Sequence, residues 1–119
     1  MRHMRRLFVL TAAVAVLAFP VAANAKTYYG SVGPTRVITL KNAAGTIVRR
    51  VPRGTHTFVI KDRSTKHDFH LMGGGIHKFT GLAFVGKRTW SGLRIRVGVT
   101  YTYWCQPHAG VMTRTFKGV

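Results

Sequence analysis

Cys105, His108 and Met112 sit within the stretch Cys-Gln-Pro-His-Ala-Gly-Val-Met, and Cys105 is the chain's only cysteine. A thiolate, an imidazole and a thioether this close together form a soft donor set of nitrogen and sulfur. Such donors suit copper, and two histidines, one cysteine and a weak axial methionine make an electron-transfer copper site. Methionine argues against zinc, which takes nitrogen, thiolate and carboxylate ligands. A single cysteine cannot close a disulfide within its own chain, so it is free, paired between chains or bound to a metal.

The set lacks one histidine, which has to come from elsewhere. The stretch His67-Asp68-Phe69-His70-Leu71 offers two. Side chains alternate between the two faces of a strand. Phe69 and Leu71 are apolar and should face the core, which carries His67 inward with them. Asp68, His70 and Met72 then point outward. Parity therefore favours His67 as the ligand, with His70 as the alternative or as a residue standing behind the ligands. His56 reads as a surface or interstrand residue. His77 follows Gly73-Gly74-Gly75-Ile76, where no lysine pattern of a phosphate loop appears.

These donors need elements to position them, and the apolar period is two rather than 3.6. Leu93-Arg94-Ile95-Arg96-Val97 shows it best, with apolar residues to one side and arginines to the other. Similar runs are Thr35–Lys41, Thr46–Val51, Thr55–Lys61, Asp68–Met72, Val99–Cys105 and Thr113–Lys117, separated by Asn42–Gly45, Pro52–Gly54, Asp62–Lys66, Gly73–Gly75 and Gly98. Along Val97–Cys105 the odd residues Val97, Val99, Tyr101, Tyr103 and Cys105 share the face predicted to point inward. Gly75–Arg88 is irregular enough to hold a helical turn. The pattern predicts an all-β sandwich or barrel.

The amino-terminal segment reads differently. Arg2, Arg5 and Arg6 precede 13 residues without charge, Leu7–Phe19, and Ala23-Asn24-Ala25 ends the segment. A charged start, a short apolar run and a small-x-small site make a secretory signal peptide over residues 1–25. The apolar run is too short to span about 30 Å of hydrocarbon, and no transmembrane span is expected after cleavage. Residues 26–119 then form a single domain. The signal takes three arginines with it, leaving 16 Lys/Arg against Asp62 and Asp68, a formal +14. That field favours acidic partners, and export argues against nucleic acid among them.

Cys105-x-x-His108-x-x-x-Met112, preceded by an aromatic-rich strand and by His67-Asp68-Phe69-His70-Leu71 upstream, resembles the cupredoxins. The likeness is to small type 1 (blue) copper proteins of the plastocyanin and pseudoazurin kind, and it extends over most of residues 26–119. It implies a Greek-key β-sandwich of about seven to eight strands with copper near one end. The ligands it implies are His67, Cys105, His108 and Met112. It also implies that His108, with Pro107 and Ala109, reaches the surface where the electron leaves, and it matches Trp104 to the aromatic residue before the cysteine. Two positions depart from the family pattern: Asp68 stands where Asn commonly ties the ligand loops together, and Thr113-Arg114 where a Gly follows the methionine.

The function implied is one-electron transfer between redox partners outside the cytoplasmic membrane, secreted or periplasmic, by a monomer with one Cu(I)/Cu(II) ion. Four protein ligands leave no open position for substrate, and two carboxylates offer little acid–base equipment, so no catalysis is expected. The cationic surface suits a redox partner with an acidic docking face, or an anionic polymer of the cell envelope. Copper storage or delivery is the competing reading, and a cationic envelope-binding module is a third.

Overall fold

The computed structural model describes residues 9–14 and 25–119. The predicted signal peptide, residues 1–25, lies mostly outside the described residues. Nine strands run in chain order: β1 (Thr27–Val32), β2 (Ile38–Lys41), β3 (Arg50–Val51), β4 (Gly54–Asp62), β5 (His70–Gly73), β6 (Ile76–Phe79), β7 (Gly86–Ile95), β8 (Thr100–Trp104) and β9 (Thr113–Gly118). A single turn of 3-10 helix, Gln106–His108, lies between β8 and β9. No helix among the described residues is long and apolar enough to cross a membrane.

The strands form two sheets, ordered β2-β1-β4-β7 and β3-β9-β8-β5-β6. The β1–β4 and β3–β9 pairs are parallel and the rest antiparallel. Alternation decides what lies between the sheets. On β4 the buried residues are His56, Phe58, Ile60 and Asp62, and on β8 they are Tyr101 and Tyr103. Rings from the two sheets meet in the middle: Phe58 of the first lies 6.3 Å from Phe116 of the second, and Phe116 stacks on Tyr101 at 5.0 Å. Burying each such side chain contributes roughly 1.5–3 kcal/mol. The all-β sandwich expected from the alternation is what forms, and nine strands lie among the described residues.

Two strands, β1 and β6, were not foreseen, and the first has a clear physical reason. The inward positions of β1 are Tyr28, Gly30 and Val32, so glycine interrupts the apolar alternation. A Cβ on Gly30 would collide with Ile60 Cδ1 and approach the Phe69 ring at 3.0 Å. The core supplies the bulk that Gly30 lacks. Gly30→Ala is therefore expected to lower stability by about 1–3 kcal/mol through overpacking. An unchanged urea midpoint would refute that close approach.

Other expectations are corrected by the way the chain bends. Gly75–Arg88 holds no helical turn; it carries β6, a loop and the start of β7. The run Thr46–Val51 shrinks to Arg50–Val51, with an isolated bridge between Lys41 and Ile47. Val97 is not inward: β7 ends at Ile95, and Val97 is 59% exposed in the turn before β8. His56 is buried rather than on the surface. Its Nδ1 accepts from the Lys26 N–H at 3.0 Å, and its Nε2 lies 2.6 Å from the Pro52 carbonyl oxygen. A ring with both nitrogens partnered by backbone can be buried without an unmet polar group.

Candidate metal centre

Strand pairing brings the two distant segments together. β5 and β8 are antiparallel neighbours with His70 opposite Trp104. The residues just before β5 and just after β8 therefore emerge at the same end of the sandwich. His67 lies in the link ahead of β5, and Cys105 follows β8 directly.

The loop that carries the other donors is tied to itself. Cys105 N–H donates to the Met112 carbonyl at 3.0 Å, and His108 N–H to the Cys105 carbonyl at 3.1 Å. The His108 carbonyl accepts from both Val111 and Met112. Pro107 is the second residue of the 3-10 turn, where its fixed φ suits the first helical positions and its missing N–H costs nothing. His108 is thereby folded back toward Cys105.

His67 Nδ1 lies 3.6 Å from Cys105 Sγ, and His108 Nδ1 lies 3.5 Å from it. The three donor atoms all fall within 4.8 Å of one another. Ligands at about 2.0 Å (nitrogen) and 2.3 Å (sulfur) from one ion, at a tetrahedral angle, stand about 3.5 Å apart. The spacing fits a shared metal, and among the described residues no other group of three His, Cys, Asp or Glu side chains does so. Cys105 is fully buried and His67 nearly so, while His108 is half-exposed. Met112 is buried at the end of the same loop.

The surroundings set the charge states. Burial pushes the Cys105 thiol up, helped by the Asp68 carboxylate, while the backbone N–H groups of Asp68 and His108 oppose the rise. His108 is pushed down by partial desolvation, then by His67 and Arg36. Gly33 backs the His67 ring: its φ is +73°, and a Cβ there would stand 3.2 Å from His67 Cδ2 and 3.1 Å from Ser64 Cβ. A side chain at position 33 would be strained by that φ and would press on the imidazole.

His70 is not part of the cluster, yet it is not an outward residue in the ordinary sense. Its ring is buried between Trp104 at 4.9 Å and Phe79 at 5.4 Å. Its Nε2 meets Asp68 Oδ2 at 2.7 Å. The other oxygen of Asp68 accepts from Gln106 N–H at 2.7 Å. Asp68 therefore fastens the His67 segment to the Cys105 loop as an asparagine would, and its second oxygen holds His70. The visible sign was an acid and a histidine two apart on one face. What the sequence concealed is the cover over them, because Trp104 and Phe79 arrive from neighbouring strands.

The second acid anchors the same segment. Asp62 Oδ2 accepts from the Thr80 hydroxyl at 2.6 Å, and Thr80 Oγ1 accepts from Phe69 N–H at 3.0 Å. Burial, the main cause, raises the Asp62 carboxyl above the usual carboxylate range, opposed by Thr80 and Ser64. Both acids in the chain are thus interior and bonded.

No protein-family model matches the chain, and no curated protein does. Among solved structures it is similar to a multicopper oxidase from Pediococcus acidilactici, with a TM-score of 0.43 and 12% identity over 100% of this chain and 31% of that one. The chain thus spans about a third of the length of that structure. What fold and site define is a two-sheet all-β sandwich carrying a His/Cys/His cluster able to hold a metal ion at one end.

Proposed function

We propose that this protein is a type 1 copper protein of the cupredoxin kind, a one-electron carrier exported from the cytoplasm. The observation that carries the reading is the convergence of His67 Nδ1, His108 Nδ1 and Cys105 Sγ within 4.8 Å. These three residues would hold the ion, and the buried thioether of Met112, at the end of the same loop, would be a further soft donor. A copper ion there would supply a Cu(I)/Cu(II) couple.

The chain's own contribution is rigidity and access. Asp68 and the bonds within the Cys105–Met112 loop hold the donor segments in place, so little has to rearrange when the charge on the site changes. Burial of His67 and Cys105 keeps water from the sulfur. His108, the half-exposed donor, is ringed by exposed Pro107, Ala109 and Val111. That apolar rim is where a redox partner would approach. A partner with an acidic face suits an exported domain of formal charge +14 whose two acids are both buried, and association would weaken as salt rises. With both carboxylates committed to internal bonds, none is free for acid–base work, so the protein is read as a carrier rather than an enzyme.

The test is the visible spectrum of the purified protein after Cu(II) is added. An intense thiolate-to-copper charge-transfer band is expected, and it disappears in Cys105→Ser. His67→Ala is expected to lose the band as well, while His70→Ala keeps it. A colourless mixture, or a band that depends on His70 and not on His67, would defeat the assignment.

A further inference from the structure

A second group of soft donors lies on the outer face of the β3-β9-β8-β5-β6 sheet, away from the cluster around Cys105. Register places Met72 opposite His77, and His70 opposite both Phe79 and Trp104. Directly opposed residues share a face, with Cβ atoms about 4.5–5.5 Å apart. His70 and His77 sit on the diagonal of this small grid, their ring centroids 6.2 Å apart.

The state of His70 points to a ligand. Its side chain is only 10% exposed, and its Nε2 is engaged by Asp68 Oδ2 at 2.7 Å. Its Nδ1 is buried with no hydrogen-bond partner. An imidazole that donates one N–H to a carboxylate presents a lone pair on its other nitrogen, and metal-binding histidines are commonly held in this way. A buried acceptor without a partner costs free energy, and coordination would remove that cost. Met72 is 44% exposed and His77 is exposed, so both can turn toward an ion arriving from solvent.

We propose that Met72, His70 and His77 form a second copper site, selective for Cu(I), at the surface of the sheet. Two imidazoles and a thioether, with no carboxylate among them, are soft donors. A monovalent ion is also repelled less than a divalent one by so cationic a protein. The rings of Trp104 and Phe79 stack against the His70 imidazole, and an aromatic face attracts a nearby cation. Such a site would take up or hand over Cu(I) at the surface, and it does not depend on Cys105.

The test is a titration with Cu(I) under reducing, oxygen-free conditions against a chromophoric Cu(I) chelator, with tryptophan fluorescence followed in parallel. Wild-type protein is expected to bind two equivalents. Cys105→Ser retains one, and its uptake quenches the fluorescence of Trp104. Adding His77→Ala or Met72→Leu to Cys105→Ser removes a ligand and weakens that equivalent by more than about tenfold, the least that losing even a supporting partner costs a metal site. The proposal is overturned if Cys105→Ser binds no Cu(I) in competition, or if neither added change affects its binding. Should Cys105→Ser not fold, as judged by circular dichroism, the stoichiometry of His77→Ala alone decides: two equivalents fall to one, or the site does not exist. A wild-type protein binding one equivalent that survives Cys105→Ser but not His77→Ala would sink the Cys105 centre and leave this one standing.

Discussion

Asp68→Ala is expected to lower the stability of the folded domain by about 3–5 kcal/mol, because two buried hydrogen bonds to a charged group, each contributing about 1.5–3 kcal/mol, are lost together. The carboxylate is nearly inaccessible, at 2% exposure, and each of its oxygens has a buried task. Without it the Gln106 N–H loses its acceptor, and His70 is left with neither ring nitrogen bonded. Since small domains have only about 5–15 kcal/mol to lose, the alanine variant should sit near the limit of folding. Asp68→Asn separates the fastening from the charge. An amide oxygen can still accept from Gln106, and its NH2 can face an unprotonated His70 Nε2, so about 1 kcal/mol of loss is expected, the scale of a single hydrogen bond. Urea unfolding of the two variants checks this. Equal losses would mean that the pair does not act as described.

Phe69→Ala carries an effect of similar size through packing. Phe69 is fully buried, stacked on Tyr103 at 5.4 Å with rings nearly parallel, and lies 6.2 Å from Trp90 of the other sheet. Large-to-small changes of an aromatic core residue cost about 3–5 kcal/mol. The position also sits between His67 and His70 in sequence, and its backbone exchanges two bonds with Thr80. A cavity there should loosen the histidine segment as well as the core. Phe69→Leu, which restores most of the volume, is expected to recover all but about 1.5 kcal/mol. Measured side by side, the two midpoints should differ by most of the alanine effect. If alanine costs no more than leucine, Phe69 is not the packing hinge between core and site.

The centre was partly legible because half of it is local. Cys105 and His108 are three residues apart in the chain, and the bond from the His108 N–H to the Cys105 carbonyl folds one back toward the other. His67 was reachable by one further rule, the alternation that puts it on the same side as Phe69 and Leu71. His70 shows where that rule stops. Parity assigned it to the outer face correctly, but predicted solvent where there is cover. The cover comes from Trp104 and Phe79 on two other strands, and their register against His70 is not written in the neighbourhood of residue 70. β1 failed for a related reason: Gly30 looks like a break in the pattern until Ile60 and Phe69 are seen filling its space.

The sequence by itself determined the class of fold and the chemistry on offer. A period of two makes sandwiches rather than bundles, and the donors in Cys105–Met112 are soft whatever surrounds them. Only the tertiary structure decided which side chains share a space: His67 with Cys105, Asp68 with His70 and Gln106, and Met72 with His77. Contacts within an element follow from its repeat, which is local, whereas contacts between elements depend on strand order and register. Those are set by the packing of the whole core, to which every strand contributes at once.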